Sequence, residues 1–473
     1  MVLGILQAAA TKYFPTQYWT HILIGFITIA VVHAFSQGRK TNRERALHAR
    51  TILVTGGFTP TGLTLLQELA RRGAHIIALT PHPIESPNVS LLIDLLRSTT
   101  SNEQIYAEQC DLASPSSIRS FCTKFLTGKE TRLDAIIYAH EYQHIGSTSF
   151  VTSLRERTSA AKREAASLST FLMTTLLLPC LLVAPVERDI RIIHVVNPFY
   201  AAGAGLPSIS PSPAEDALSG KQARSAILEE GLRSLRTSVL ARHLQRVLDA
   251  LPAAQVPKTD DNSSTVPVVS AKSQKSNIVA ISVSPGISRS DTVAQILNAD
   301  WNQPFFSRLG VFIYLALYPI LRITTKSPTS AIQSVLHALF LPTPFKTFSA
   351  GAPRASAAAS EAPEEILKPG ALYTNCAVVH LPLVASKFVS AKQADDGKPR
   401  QQPTPAAESR AAEEVLQLED DGELCGELAG RLVWEAYEVA LKAWEKANPA
   451  EEKTAPDTDG DSSPSAGAES AKS

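Results

Sequence analysis

A glycine-bearing turn at residues 55–62 is the first part of the sequence that could bind a ligand. It reads Thr-Gly-Gly-Phe-Thr-Pro-Thr-Gly and joins a short apolar run, Thr51–Thr55, to Leu63–Arg72, where apolar residues recur at helical spacing. Glycines at such a junction allow a tight turn and bring backbone N–H groups close to a pyrophosphate at the helix N-terminus. One such turn is a weak motif, because ordinary turns also use glycine.

A second group of residues could transfer protons. A parallel sheet places its site at the carboxyl ends of its strands, and five titratable side chains lie at or near such ends, with Lys221 as a candidate cation: Tyr138, His140, Tyr142, His194 and Tyr200. A loose set of this kind is more often a solvated loop rim, so Tyr142 and Tyr200 are predicted only as weak substitutes for a catalytic acid. No cluster of metal ligands and no Cys-x-x-Cys pair occurs, so no metal site is predicted.

Strands and helices alternate along the chain in the order that positions such sites. The predicted strands are Thr51–Thr55, His75–Leu79, Ile105–Cys110, Ala135–Tyr138, Arg191–Val196 and Ile278–Val283. The predicted helices between and after them are Leu63–Arg72, Pro115–Leu126, Ala165–Leu182 and Ser225–Leu251. This alternation predicts the α/β class, with a single Rossmann-like doubly wound parallel sheet and right-handed crossovers.

Several motifs, in order, resemble those of the short-chain dehydrogenase/reductase superfamily and its retinol-dehydrogenase-like branch. They are the turn at 55–62, the Asp-Leu pair that precedes a helix, the segment VSPGISRSD at 283–291, and three C-terminal motifs at 324–339, 370–376 and 427–441. Taken singly, Asp111 could be a helix N-cap and Pro285-Gly286 an ordinary turn. The resemblance implies NAD(P) as cofactor, bound through Thr55, Gly56, Gly62, Asp111, Leu112, Pro285 and Gly286.

The resemblance also implies a catalytic Asn, Ser, Tyr and Lys, and the sequence departs from the family at each position. The four positions fall at Ala166, Asn197, Ala226 and Glu230, respectively. Alanine cannot transfer a proton, and a glutamate at a site meant for a cation cannot lower the pKa of a phenol. The cofactor half is altered too, since Pro60 replaces the middle glycine of the turn and lacks an N–H donor.

Two functions are consistent with this pattern. By resemblance, the protein is an NAD(P)-dependent oxidoreductase of lipophilic alcohols or carbonyls that uses unconventional residues. The alternative is a non-catalytic pseudo-enzyme that serves as a nucleotide-binding or lipid-binding scaffold at a membrane. A cleft above Pro60 that is open to a nucleotide would favour the first function, and a cleft filled by side chains would favour the second.

The N-terminal stretch Tyr18–Phe35 is nearly uncharged and spans about 27 Å as a helix, enough for a bilayer core. Only Lys12 precedes it, whereas five basic residues follow within 39–50, which places the C-terminal side in the cytosol. We predict a single-pass anchor, in the endoplasmic reticulum or, alternatively, in a mitochondrial membrane or lipid droplet. A cleaved signal peptide, a mitochondrial leader and a buried soluble helix are the competing interpretations.

The charge balance is a sum of unlike parts. Lys and Arg number 45, as do Asp and Glu, yet residues 1–50 hold six basic residues and one acid, while residues 408–473 hold 17 acids and six basic residues. Without a basic excess, a nucleic-acid partner is not expected. We predict an anchor at 1–50, one domain at 51–446 with flexible insertions at 252–276, 350–368 and 384–410, and a disordered acidic tail at 447–473.

A second apolar run, Pro304–Arg322, is interrupted by Arg308 and Pro319. Its uninterrupted apolar segment is too short for a bilayer, which indicates a buried or interfacial helix rather than a second span. A small lipophilic ligand is the partner that this segment and the resemblance together suggest.

Overall fold

The computed structural model describes residues 19–128, 132–147, 156–185, 187–214, 225–255, 276–300, 306–344, 365–383, 388, 418 and 420–449. Lys221, most of the three predicted insertions and most of the acidic tail lie outside these residues.

A twisted sheet forms the centre of the molecule. Its strands are β1 (Thr51–Thr55), β2 (His75–Thr80), β3 (Ile105–Gln109), β4 (Ala135–Tyr138), β5 (Ile190–Val195), β6 (Ile278–Ser284), β7 (Leu372–Thr374) and β8 (Ala377–Val379). They lie in the order β3-β2-β1-β4-β5-β6-β7-β8, with all neighbours parallel except the antiparallel pair β7–β8. The strand order reverses where β1 pairs with β4, the place at which a doubly wound sheet opens a ligand crevice. The predicted fold class is confirmed.

Helices cover both faces of the sheet. They are α1 (Trp19–Gln37), α2 (Pro60–Arg71), α3 (Pro87–Thr100), α4 (Pro115–Thr127), α5 (Glu156–Leu182), α6 (Tyr200–Ala204), α7 (Ala226–Gln255), α8 (Arg308–Thr324), α9 (Pro328–Ala331), α10 (Gln333–Phe340) and α11 (Gly426–Ala447). The core on one face joins α2, α3 and α10, and the core on the other joins α4, α5, α7 and α11. Strands β1, β4, β5 and β6 are buried along their whole length, and most of their residues are apolar, as expected for parallel strands covered on both faces.

Three helices differ from their sequence prediction. The predicted helix Ala165–Leu182 begins earlier, at Glu156, in the structure. Helix α3 was not predicted, because its 14 residues alternate apolar with small polar side chains and bury only three residues. Helix α8 is largely exposed, so the buried alternative for the segment Pro304–Arg322 is wrong.

Two helices are long and apolar enough to cross a bilayer, and burial separates them. In the Thr158–Leu182 part of α5, 56% of the most apolar 18-residue window is buried within the fold, so this is a core helix. Helix α1 has no buried residue. Its bounds contain nearly all of the predicted span Tyr18–Phe35, and its exposure excludes the buried soluble helix that competed with an anchor.

The end of α1 is held to the domain by side-chain hydrogen bonds. Ser36 Oγ donates to the carbonyl of Ile323 at 2.6 Å, and Gln37 Nε2 donates to the carbonyl of Thr325 at 3.0 Å. Gln37 Oε1 in turn accepts from Ser327 Oγ at 3.0 Å. We call this set of contacts the anchor clamp. It joins the end of α1 to the last turn of α8 and to the residues between α8 and α9.

Candidate functional site

The glycine turn packs tightly against itself and against the chain that follows β4. Gly56 adopts a φ of +66°, and a Cβ there would lie 2.7 Å from the backbone N of His140. A Cβ on Gly62 would lie 2.2 Å from the carbonyl oxygen of Gly56. Thr59 Oγ1 accepts from the N–H of Gly62 at 3.1 Å, so this helix N-terminal donor is capped from within the turn.

A buried carboxylate lies at the N-terminal end of α2. Asp291, in a short π-helical turn (Arg289–Val293) after β6, is 1% exposed. Its Oδ2 accepts from Thr61 Oγ1 at 2.5 Å, Ser290 Oγ at 2.7 Å and Ser288 Oγ at 3.1 Å. The first of these bonds links the loop after β6 directly to the glycine turn. A negative charge thus occupies the end of the helix that a pyrophosphate would approach.

The Pro285-Gly286 turn uses its carbonyl groups for contacts within the protein. Tyr142 OH donates to Gly286 O at 2.8 Å, and Lys326 Nζ donates to Pro285 O at 2.6 Å. Burial raises the pKa of Tyr142 and lowers that of Lys326. A phenol that holds its proton more firmly than usual is a poorer catalytic acid.

Glu230, the residue at the predicted lysine position, is fully buried between two arginines. Its Oε1 accepts from Arg163 Nε at 3.0 Å and from the N–H of Ile145 at 2.9 Å. Its Oε2 accepts from Arg233 Nη2 at 2.5 Å, and Arg233 also donates to the carbonyl of Glu141 at 2.8 Å. This arrangement, which we call the Glu230 ion cluster, ties α5 and α7 to the chain after β4. It satisfies both oxygens of the buried carboxylate with donors from the protein.

Asn197, at the predicted serine position, is also buried and engaged. Its backbone N–H donates to Ser234 Oγ at 3.0 Å, and its side-chain Nδ2 donates to the carbonyl of Tyr142 at 3.3 Å. Ser234 lies one helical turn beyond Glu230 and was not considered in the sequence analysis. The residue of α7 that contacts Asn197 is therefore Ser234, whereas Ala226 stands at the first position of the helix.

His140 fills the space between the glycine turn and α5. Thr55 Oγ1 and His140 Nδ1 lie 2.7 Å apart, and His140 Nε2 is 3.1 Å from the carbonyl of Ala166. Burial lowers the pKa of His140. The neutral ring accepts from Thr55 and donates to Ala166, so two of the predicted site residues are joined through a histidine rather than through a ligand.

The remaining predicted site residues are either buried or bonded to residues close to them in the sequence. Tyr138 stacks on His194 with ring centroids 5.2 Å apart, and both are buried, as is Tyr200, so a solvated rim was the wrong expectation for them. Asp111 Oδ1 accepts from the N–H of Ala113 at 2.9 Å, and Leu112 packs into the core. The N-cap of α4 is Ser114, which contradicts the N-cap interpretation of Asp111.

The known proteins that resemble this chain include an oxidoreductase, a dehydrogenase/reductase and a retinol dehydrogenase. No model of a known protein family matches the chain. The chain is 28% identical over 325 residues to an uncharacterised oxidoreductase of Saccharomyces cerevisiae, covering 67% of this chain and 74% of that protein. It is 35% identical over 135 residues to human dehydrogenase/reductase SDR family member 13, covering 28% and 33% of the two chains. It is 27% identical over 112 residues to mouse retinol dehydrogenase 12, covering 24% and 34%.

The ordered motifs, the doubly wound sheet and these relatives together define the class of protein. By sequence and by fold, the chain is related to members of the short-chain dehydrogenase/reductase superfamily. Within it, the retinol dehydrogenases are among the relatives, as the motifs predicted. The last two matches span about a third of those relatives' own length, 33% and 34%.

Proposed function

We propose that this protein is a membrane-anchored member of the superfamily that retains the fold and has lost the family's hydride-transfer chemistry. The observation that carries the proposal is the Glu230 ion cluster. A carboxylate locked between Arg163 and Arg233 stands where the resemblance implies a lysine, and Asn197 and Ala226 replace the serine and the tyrosine. The function that is left is that of a scaffold or lipid-binding protein at a membrane.

The residues of the crevice do not fit a dinucleotide. Asp291 would face a pyrophosphate of the same charge at the N-terminus of α2, and like charges in a poorly solvated site repel strongly. Pro60 offers no N–H, and the N–H of Gly62 is already bonded to Thr59. NAD(P), the cofactor implied by the resemblance, is therefore not assigned to this chain.

The membrane assignment rests on α1 and its surroundings. The helix exposes apolar side chains along its length and is followed by basic residues, the pattern of a single-pass anchor whose domain lies in the cytosol. The endoplasmic reticulum is the proposed membrane, with a mitochondrial membrane or a lipid droplet as the alternatives. Alkaline carbonate extraction of cell membranes tests the anchor, because a true span stays in the pellet.

Calorimetry of the full chain in neutral detergent tests the loss of the cofactor. Neither NADH nor NADPH is expected to bind at submillimolar concentration. Asp291→Asn removes the repelling charge and is expected to gain weak binding, whereas Ser290→Ala keeps the charge and serves as the control. Micromolar binding of either nucleotide to the unaltered protein would contradict the proposal.

A second candidate is an oxidoreductase of lipophilic alcohols or carbonyls that uses Tyr142. Its support is the hydroxyl of Tyr142 on Gly286 O, in the loop that the resemblance places beside the nicotinamide, and the oxidoreductase names of the relatives. Consumption of NADPH with long-chain aldehydes, lost in Tyr142→Phe and kept in Tyr200→Phe, would establish this candidate. No turnover in the unaltered protein would exclude it for those substrates.

A further inference from the structure

A basic cleft of about 580 Å³ lies beside the anchor clamp. Its charged wall consists of Lys40, Arg289 and Arg322, and the residues around them are neutral or histidine, with no Asp or Glu. Within the described part of the chain, neither Lys40 nor Arg322 has an acidic partner within ion-pair distance. Three cations that share a cleft without a counter-ion repel one another, and an anion bound among them would relieve that repulsion.

The anchor clamp fixes the height of this cleft relative to a bilayer. Ser36 and Gln37, whose bonds make the clamp, are the last residues of α1, and His33 and Gln37 also line the cleft. The cleft therefore lies at the C-terminal end of the apolar helix, where a hydrocarbon core gives way to phosphate groups. Arginine and lysine at that depth attract anionic headgroups.

Helix α8, whose Arg322 lines the cleft, also carries exposed apolar residues. Phe312 is 71% exposed and Leu315 62% exposed, while Arg322, in its last turn, lines the cleft. The guanidinium of Arg289 lies 5.9 Å from the centre of the Tyr318 ring, a cation–π contact that holds this cation against α8. Apolar residues next to cations are the combination that a phospholipid, with its acyl chains and phosphate, would match.

We propose that Lys40, Arg289 and Arg322 bind the phosphate-bearing headgroup of an anionic phospholipid while α8 lies in the membrane interface. The inference rests on the proposed membrane anchoring through α1. It adds a lipid site to the scaffold function and names its chemistry. Free phosphate has the same headgroup chemistry but cannot use the apolar surface of α8, so the lipid is the expected ligand.

The test measures binding of fluorescent phosphatidic acid to the full chain in neutral detergent by anisotropy. Each single substitution Lys40→Ala, Arg289→Ala or Arg322→Ala is expected to weaken binding about fivefold, in line with the contribution of one basic residue near a membrane surface. Arg322→Lys keeps the charge and should restore most of the affinity. The triple variant Lys124→Ala/Arg431→Ala/Lys442→Ala removes three positive charges elsewhere, as many as the three cleft substitutions together, and should bind as the unaltered protein does.

Competition separates the sources of phosphate. Unlabelled phosphatidic acid should displace the probe, while phosphatidylcholine at equal concentration should not. Displacement by inorganic phosphate as effective as that by phosphatidic acid would overturn the lipid assignment, and an equal loss of affinity in the control variant would overturn the site. Carbonate extraction reads the anchor independently: release of the unaltered protein refutes the anchoring, whereas retention together with unchanged lipid binding in the cleft variants refutes only this inference.

Discussion

Two buried carboxylates, Glu230 and Asp291, carry the proposal that this protein does not transfer hydride. Both oxygens of Glu230 accept hydrogen bonds from the protein, whereas Asp291 accepts them through Oδ2 only and its buried Oδ1 has no partner among the described residues. By resemblance, Glu230 stands where the family has a cation and Asp291 lies where a pyrophosphate would bind. Desolvating a carboxylate is costly unless charge and hydrogen bonds compensate it. The neighbours of Glu230 supply that compensation through two arginines and one backbone N–H.

Removing the charge of Glu230 is expected to destabilise the protein strongly. Glu230→Gln leaves the buried Arg233 without its counter-ion, whereas Arg163 keeps a second partner in Glu229; breaking a buried pair costs about 3–5 kcal/mol. Urea unfolding of the full chain in neutral detergent measures the free energy of unfolding. The exposed pair of Arg431 and Glu435 supplies the control, since Glu435→Gln should change it by only about 0–1 kcal/mol. Equal effects of the two variants would contradict the cluster.

Stability is expected to fall on mild acidification. Burial lowers the pKa of His144 and of His194 to about 4, below the value of about 6.5 in an unfolded chain. The unfolded state therefore binds protons first as the pH falls, and stability that is complete above about pH 6.5 is lost progressively toward pH 4, by about 2 kcal/mol per histidine at pH 5. Asp189, whose pKa is lowered to about 2, acts only below this window.

Urea unfolding at pH 7.5 and pH 5 measures this loss. His144→Gln should reduce the difference in the free energy of unfolding between the two pH values, while His82→Gln, at an exposed position, should leave it unchanged. A pH-independent free energy of unfolding across this range would refute the prediction.

The sequence predicts the positions of site residues that can be counted from a motif. It does not predict the contacts between site residues that are distant in sequence. Pro60, Asn197 and Glu230 were identified from the sequence. The bond between Thr61 and Asp291 joins residues 230 positions apart, and no local pattern reports such a contact. Ser234 was missed because its partner, the backbone N–H of Asn197, lies 37 positions away in the sequence.

At the scale of elements, the parallel strands followed from continuous apolar runs and the helices from their spacing. The environment of helix α8 could not be predicted, because the Arg and Pro in its sequence are consistent with either a buried or an interfacial helix. Burial decides between them, and an apolar patch of this extent indicates a surface meant for a partner or a membrane.

Helix α8 is expected to contact acyl chains. Phe312→Trp in the full chain, placed in nanodiscs that contain brominated phosphatidylcholine, should show additional quenching of tryptophan fluorescence beyond that of the native tryptophans. Leu91→Trp on α3 is a matched control, since Leu91 is 65% exposed on a helix remote from the clamp. Equal quenching at the two positions, or none at Phe312→Trp, would remove α8 from the interface.

At the scale of the whole molecule, the C-terminal helix completes the domain. Helix α11, which the third predicted insertion separates from the earlier elements in the sequence, packs on α5 and α7. Its Val433 and Tyr437 are fully buried. The core of the predicted domain, 51–446, therefore includes about the last 20 residues of that range. Their position in the sequence, after a long insertion, does not by itself indicate this.

Tyr437→Ala is expected to lower the free energy of unfolding by about 3–5 kcal/mol, because it leaves a large cavity between three helices. Val439→Ala, at a position 69% exposed on the same helix, should change it by no more than about 0.5 kcal/mol. Urea midpoints of both variants give the comparison. A small effect of Tyr437→Ala would mean that α11 is an appendage rather than part of the domain.

The anchor clamp has a consequence for how this protein would meet other molecules. A domain on a flexible tether samples every tilt and a range of distances from the bilayer, so its encounters resemble those of a soluble protein. Here Gln37 bonds directly to the chain after α8, which leaves no slack between helix and domain. With α1 in a bilayer, one side of the domain would permanently face the lipid, and its encounters with other proteins of that membrane would be limited to lateral diffusion in two dimensions.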